Sequence, residues 1–130
     1  MFDELNNYKN KGHFFFQKGD SLREQSREVP EFPGVYYILR LANGKIDLVY
    51  IGKSGGVLQN GTFNSQWFKD NKWLQHFEQE AEKENIDALD IYWFVTYDKK
   101  HQDLPGFVEG LIIQRYFDIY GCLPPWNKEF

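Results

Sequence analysis

Two neighbouring runs of apolar residues, 35–41 and 46–51, are rich in β-branched and aromatic side chains. Such runs are typical of β-strands. Asn43 and Gly44 stand between them, and this dipeptide is the strongest short signal for a two-residue hairpin turn. The pattern therefore predicts an antiparallel hairpin.

Further along the chain, a helical pattern is followed by a third strand pattern. Trp73 and Phe77 lie four positions apart within residues 65–84, so they share one apolar stripe of a predicted helix. Residues 89–97 are dense in aromatic side chains. This composition predicts a strand that is central in its sheet or covered on both faces.

A last helix is predicted to begin at Pro105 and Gly106 and to stop at Gly121. Its apolar positions follow helical spacing: Val108, Leu111, Ile112, Tyr116 and Ile119. The order strand, strand, helix, strand, helix predicts a small α/β (α+β) domain, in which helices flank a three-stranded antiparallel sheet.

Residues 1–33 are predicted to form an N-terminal extension that packs on a single domain of residues 34–130. Phe14, Phe15 and Phe16 are expected to dock on the core, because three adjacent phenyl rings are costly to leave in water.

Composition narrows the class of protein. The chain has 130 residues, of which 42% are hydrophobic and 18% aromatic, so one packed core is expected. No apolar run approaches the roughly 20 residues that span a bilayer, and acidic residues stand where a signal peptide needs basic ones. We therefore expect a cytoplasmic protein with no membrane partner. The single cysteine, Cys122, excludes an internal disulfide and a cysteine-based zinc cage.

The net charge of −4 counts against a protein that coats nucleic acid by bulk electrostatics. It does not exclude a local basic cleft, because phosphate contacts act over about one Debye length.

Two short motifs lie on the predicted hairpin. Gly34 and Tyr36 frame the first (Gly-Val-Tyr), and Tyr50 and Gly52 frame the second (Tyr-Ile-Gly), which Lys53 follows. Together they resemble the paired signature of the GIY-YIG nucleases, with Lys53 matching the common continuation. The hairpin context makes the resemblance more specific than either short motif alone.

Other residues resemble the remaining markers of that family, in the expected order, so that the resemblance covers residues 34–127. Lys72 and His76 lie in a segment similar to the family's Arg-Trp-x-x-His-Phe. Glu109 resembles its metal-binding glutamate, and Asn127 resembles the asparagine that closes the domain. The resemblance implies substrate-binding or structural roles for Gly34, Gly52, Lys53 and Asn127.

The resemblance implies a nuclease: a hydrolase that is a magnesium- or manganese-dependent DNA endonuclease cleaving phosphodiester bonds. Glu109 is the expected ligand of one divalent cation, and a single carboxylate with several waters suits Mg²⁺. Tyr36 or Tyr50 is expected to assist the attacking water, while Lys72, on the same helix face as His76, stabilises charge on the phosphate. DNA is the expected partner, and a further protein partner would supply specificity.

Each candidate residue also has a structural interpretation. Tyr36 is then a core aromatic, and Glu109 is a helix N-terminal charge that the helix dipole favours. Lys72 and His76 are then ordinary helix residues. For Glu109 the resemblance favours metal binding, whereas bracing of the C-terminal segment is the preferred role of Asn127.

The chain departs from the family pattern at two places. Lys72 stands where the family has arginine, and an ammonium group lacks the bidentate geometry of a guanidinium group. The segment 55–70 is also longer than the family's usual link, and its aromatic residues either contact nucleotides or pack into the core. The alternative function is therefore a weakened or inactive module of the same fold that binds nucleic acid or a protein partner.

Overall fold

The computed structural model describes residues 1–68, 78, 79 and 81–130, and its main element is one antiparallel sheet. The strands of this sheet are β1 (Lys11–Phe16), β2 (Gly34–Ala42), β3 (Lys45–Ser54) and β6 (Ala88–Val95). They lie side by side in the order β1-β6-β2-β3. Two short strands, β4 (Gly56–Val57) and β5 (Phe63–Asn64), pair separately as a small hairpin.

Helices complete the mixed α+β architecture. They are a 3₁₀ helix (Asp3–Asn7), α1 (Leu22–Gln25) and α2 (Pro105–Tyr120). Residues 78, 79 and 81–83 are helical as well, within the segment 65–84 for which a helix is predicted. The rest of that predicted helix, with Trp73 and Phe77, lies outside the described residues.

The predicted hairpin of β2 and β3 is present, with strands that are two and four residues longer than the respective apolar runs. Asn43 and Gly44 form its turn with φ values of 55° and 72°. Positive φ at both central residues is what a tight hairpin turn of the right twist requires, which explains this residue pair.

The prediction of three strands in the sheet is wrong, because β1 adds a fourth. Residues 11–16 of the expected extension pair with β6 along their whole length, from Lys11 opposite Phe94 to Phe16 opposite Leu89. Phe14 and Phe16 face the core, whereas Phe15 points to the other face and is 48% exposed. The three phenylalanines therefore alternate across a strand and do not dock together.

The two faces of the sheet carry separate clusters of buried side chains. One cluster contains Tyr36, Ile38 and Trp93, together with Trp67 and Phe68 of the segment after β5. The opposite face is covered by the 3₁₀ helix and by α2. Neighbouring residues of β2 therefore serve different layers, as the alternation of a strand demands.

Helix α2 packs along β3 and ends at Gly121, whose φ of 71° makes it the left-handed cap that was expected. Its buried side chains are Pro105, Val108, Ile112, Ile113 and Tyr116. Ile119, which the spacing places on the buried stripe, is instead 58% exposed. The last buried side chain of the helix is that of Tyr116. No helix in the described part of the chain is long and apolar enough to cross a bilayer.

Candidate active site

The two motif tyrosines lie on the same face of the β2–β3 hairpin. Tyr36 stands opposite Gly52 in the strand register, and Tyr50 is two residues before Gly52 on β3. Diagonal neighbours of this kind are within reach of aromatic side chains. The ring centroids of Tyr36 and Tyr50 are 5.9 Å apart, with an angle of 32° between the ring planes.

Gly52 leaves the space that the two phenol rings fill. A methyl group there would lie 2.7 Å from both Cζ and Oη of Tyr36 and 2.7 Å from Cε2 of Tyr50. Any side chain at this position would therefore displace the hydroxyl end of Tyr36. The glycine of the second motif is explained by the geometry of the tyrosine pair.

Gly34, the glycine of the first motif, has a different steric role. A methyl group at Gly34 would lie 2.0 Å from the carbonyl oxygen of Phe94 and 2.7 Å from the ring of Trp67. The clash with backbone cannot be relieved by moving a side chain. Gly34 therefore permits β2 to pair closely with β6 at the end of the sheet where Tyr36 lies.

The Tyr36 side chain is almost completely buried, with 2% exposed. Its ring meets the edge of Phe68 at a centroid distance of 5.1 Å and lies 6.3 Å from Trp67. Burial raises the pKa of Tyr36 well above its ordinary value, and Tyr50 and Glu109 add to the rise. Tyr36 therefore keeps its proton at neutral pH.

A hydrogen bond between the two phenols has opposite effects on their pKa values. Burial and the charge of Glu109 raise the pKa of Tyr50, whereas its hydrogen bond with Tyr36 lowers it. The same bond raises the pKa of Tyr36. This is the pattern of a Tyr36 hydroxyl that donates to the Tyr50 oxygen, so Tyr50 is the better placed of the two to lose a proton.

Glu109 and Lys53 complete the polar cluster from helix α2 and the end of β3. Burial raises the pKa of the half-buried Glu109 carboxyl, and the positive charge of Lys53 opposes this rise. The Lys53 Nζ lies 3.6 Å from the position of a methyl group at Gly106, in the first turn of α2. Tyr36, Tyr50, Gly52, Lys53 and Glu109 thus come together where β3 ends and α2 begins.

Asn127 is the brace of this end of β3. Its Oδ1 accepts a hydrogen bond from the Ile51 N–H, and its Nδ2 donates one to the Ile51 carbonyl oxygen, both at 2.9 Å. Ile51 lies between Tyr50 and Gly52, so Asn127 fixes the backbone on which the second motif is carried. It makes these contacts with backbone atoms alone, consistent with the bracing role.

Lys72 and His76, the other two predicted site residues, lie outside the described residues. Among the described residues, Lys53 is the cation whose charge acts on Glu109.

The donor set near Glu109 has the chemistry of a hard-cation site with few protein ligands. The described residues contain no group of three or more His, Cys, Asp and Glu side chains that could hold a metal ion. Glu109 is one half-buried carboxylate whose ionised form is disfavoured by burial, which a bound cation would relieve. Magnesium is commonly held by one or two carboxylates while it keeps several waters and binds phosphate oxygens. Within the described part of the chain, the residues near Glu109 fit Mg²⁺ or Mn²⁺ and do not form a zinc cage.

Two residues that support the site were not among the predicted site residues. Trp67 and Phe68 form the wall against Tyr36. The buried pair Trp67 and Phe68 belongs to the segment 55–70, so that part of the insertion packs into the core.

The groove lined by Tyr37, Tyr92 and Tyr116, about 550 Å³ in volume, lies away from this cluster. Tyr36, Tyr50, Lys53 and Glu109 are not among its lining residues. The candidate site is therefore defined by the convergence of its polar side chains and not by the volume of a cavity.

Comparison with family models, curated proteins and solved structures gave no significant match to the chain.

Proposed function

We propose that the protein is a metal-dependent endonuclease of the GIY-YIG type that hydrolyses phosphodiester bonds in DNA. The observation that carries the proposal is the cluster of Tyr36, Tyr50 and Glu109, which are distant in sequence and act electrostatically on one another. Two phenols, one half-buried carboxylate and the Lys53 ammonium group are a suitable set for metal-assisted phosphate hydrolysis.

In this proposal Glu109 holds one Mg²⁺ or Mn²⁺ ion. The ion, when bound, polarises the phosphate and neutralises charge on the leaving oxygen. Lys53 lies close enough to Glu109 to influence its ionisation, so its ammonium group adds positive charge at the same phosphate.

In the proposed reaction Tyr50 orients the attacking water and, after losing its own proton to solvent, accepts the proton of that water as a phenolate, which returns it to the phenol. Tyr36 donates a hydrogen bond to the Tyr50 oxygen, which favours the phenolate form of Tyr50 over that of Tyr36. Water attacks phosphorus, the bond from phosphorus to the leaving oxygen breaks, and the leaving oxygen takes a proton from solvent. Tyr36 is a positioning residue here, because it acts through Tyr50.

The test is cleavage of supercoiled plasmid and of branched DNA in the presence of Mg²⁺ or Mn²⁺. We expect the wild-type protein to cleave and Glu109→Ala to lose at least about a hundredfold in rate. Glu129→Ala, which removes an exposed carboxylate of the C-terminal segment, is the matched control and should cleave normally. Undiminished cleavage by Glu109→Ala, or no cleavage by the wild type with either metal, would overturn the proposal.

A second candidate is a module of the same fold without catalysis. It is favoured by one observation: the pKa values of Tyr36 and Tyr50 are both raised, chiefly by burial, so neither phenol is a ready base at neutral pH. Titration calorimetry with Mn²⁺ separates the candidates. A folded protein that takes up no Mn²⁺ and cleaves no DNA supports the module.

A further inference from the structure

The β4–β5 hairpin and the turn after β6 form a surface next to the candidate active site. The Tyr97 hydroxyl donates a hydrogen bond to the Gly61 carbonyl oxygen at 2.9 Å, which ties the hairpin to that turn. The ring of Phe63 lies between Phe32 and Tyr97, at centroid distances of 5.4 and 5.9 Å. Phe63 is 39% exposed, so an aromatic ring is held in place and still reaches solvent.

The hairpin is ordered by its own hydrogen bonds. The Leu58 N–H donates to the Thr62 carbonyl at 2.7 Å, and the Gly61 N–H donates to the Leu58 carbonyl at 2.9 Å. Asn60 Oδ1 accepts from both the N–H and the hydroxyl of Thr62. The tip therefore has a defined shape, and binding would cost little conformational entropy.

Three lysines line a hollow of about 420 Å³ on the same surface. Lys9, Lys99 and Lys100 stand there with Phe32, and Asp98 supplies the one lining carboxylate. Asp98 Oδ1 already accepts hydrogen bonds from two backbone N–H groups of its own turn. Among the residues that the structure describes, none of the three lysines forms an ion pair. In a chain of net charge −4, this is a local cationic surface that suits a polyanion.

Backbone contacts connect this surface to the Tyr36 end of the sheet. The Thr96 and Tyr97 N–H groups both donate to the Pro33 carbonyl, one residue before β2 begins. Phe32 and Tyr36 are four residues apart, which is roughly 13 Å in extended chain. Each strand of duplex DNA rises about 3.4 Å per nucleotide, and an unpaired strand extends at least as far, so one strand would reach from the hollow to Tyr36 within a few nucleotides.

We propose that Phe63 with Lys9, Lys99 and Lys100, here called the lysine–aromatic surface, holds an unpaired segment of DNA strand beside the candidate active site. The inference rests on the proposed function and names its substrate class as DNA with a single-stranded segment, such as a fork or a flap. Lysine ammonium groups contact phosphates without reading sequence. An exposed phenyl ring stacks on any base that is not already stacked in a duplex, which favours unpaired nucleotides.

The experiment measures fluorescence anisotropy of a labelled forked DNA with unpaired arms and of a fully paired duplex, in EDTA so that cleavage does not intervene. We expect the wild type to bind the fork at least about fivefold more tightly than the duplex. Phe63→Ala should lose this preference while it binds duplex as before. The double variant Lys99→Glu and Lys100→Glu should weaken binding of both DNAs and reduce the salt dependence of log K by about 1 to 2.

The matched control is the double variant Lys45→Glu and Lys83→Glu, which makes the same charge change at two other exposed lysines. If the two double variants weaken binding equally, net charge and not this surface is responsible, and the proposal is overturned. It is also overturned if the wild type binds neither DNA, or binds an acidic polypeptide more tightly than the fork.

Binding and cleavage fail separately in this design. If the wild type binds the fork through Phe63 and the lysines but cleaves no DNA, the proposed surface is supported and the proposed nuclease activity is overturned. If the wild type cleaves DNA but Phe63→Ala and the lysine variant bind like the wild type, the nuclease activity is supported and the proposed surface is overturned. Should Phe63→Ala unfold, the lysine variant still decides, because Lys99 and Lys100 are exposed and make no ion pair with a described residue.

Discussion

The side-chain amide of Asn127 pairs with the backbone of Ile51 in the way that the backbone of a neighbouring strand would. The amide of Asn127 both accepts from and donates to the Ile51 backbone. β3 is the outermost strand of its sheet, so its outer N–H and C=O groups would otherwise be unpaired. The Trp126 N–H donates to the Val49 carbonyl at 2.8 Å, which continues the same contact.

We expect Asn127→Ala to lower the free energy of unfolding by about 1–3 kcal/mol, because two buried backbone groups of Ile51 lose their partners. Urea denaturation measures the loss. Hydrogen exchange should show that the Ile51 amide loses protection more than the amides of β6. Asn127→Asp keeps one acceptor and should fall between alanine and the wild type.

Lys128→Ala is the control for this prediction, since it changes an exposed neighbour in the same segment. It should leave both stability and the Ile51 amide unchanged. An Asn127→Ala protein with wild-type protection at Ile51 would show that the two hydrogen bonds do not order the edge of β3.

Gly52→Ala should damage the tyrosine pair. The added methyl group would lie 2.7 Å from the Tyr36 hydroxyl end and from the Tyr50 ring, and one of them must move. Overpacking of this kind typically costs about 1–3 kcal/mol. We expect that loss in urea denaturation, together with loss of any cleavage activity.

Gly56→Ala tests whether the effect is specific to that position. The nearest atom to its added methyl group is Asn64 Oδ1 at 3.7 Å, an ordinary contact. Equal losses of stability at Gly52 and Gly56 would mean that glycine-to-alanine changes act through backbone conformation here, and not through the space beside Tyr36.

The hairpin was predictable because all of its signals are local. Asn43 and Gly44 dictate the turn, and the strands on either side pair with each other. The strand β1 was not predictable, because its partner β6 is distant along the chain. Phe14 pairs with Ile91, which is 77 residues further on. Gly12 in β1 weakens a strand pattern in the sequence. In the fold it leaves room for Trp93, whose ring would lie 2.8 Å from a methyl group at Gly12.

The candidate site was less predictable. Regular pairing from the Asn43-Gly44 turn would place Tyr36 and Tyr50 on opposite faces of the hairpin, and the register shift between Ile38 and Leu39 is what brings Tyr36 opposite Gly52 and onto the face of Tyr50. The approach of Glu109 and Lys53 depends on how α2 docks along β3, which is tertiary packing that no spacing in the sequence encodes. Burial, the largest cause of the raised pKa of both tyrosines, is likewise set by tertiary packing.

A comparison of Tyr36→Phe with Tyr37→Phe distinguishes a hydroxyl group that acts in the candidate site from one that does not. Tyr36→Phe removes the hydroxyl that donates to Tyr50, so we expect the cleavage rate to fall by about 10–100-fold, as the loss of one hydrogen bond to a charged group implies. Tyr37 lies on the other face, with its ring stacked on Tyr92 at 5.0 Å. Tyr37→Phe should therefore keep the wild-type rate.

Because Tyr36 is assigned a positioning role, the pH profile is the informative readout. Without the donated hydrogen bond the pKa of Tyr50 should rise, since that bond lowers it in the wild type. The alkaline rise in the residual cleavage by Tyr36→Phe should then be displaced to higher pH than in the wild type. A variant with a lower rate and an unchanged pH profile would argue that Tyr36 serves packing alone.

Glu109→Gln should stabilise the metal-free protein at neutral pH. Burial raises the pKa of Glu109 in the folded state above its value in the unfolded chain, 4.5, so the folded state binds the proton more tightly. The stability that this carboxyl contributes is present below pH 4.5 and is lost as the pH rises through the folded-state pKa. Glutamine is neutral at every pH and avoids that loss.

Urea denaturation between pH 4 and pH 8 measures the effect. Glu109→Gln should exceed the wild type in unfolding free energy at pH 7, and the difference should shrink towards pH 4.5. Saturating Mn²⁺ should stabilise the wild type and not the variant, because only a carboxylate holds the ion. Glu129→Gln should follow the wild type throughout. A Glu109→Gln protein less stable than the wild type at every pH, with or without Mn²⁺, would mean that the carboxylate is a structural anchor and not a cation ligand.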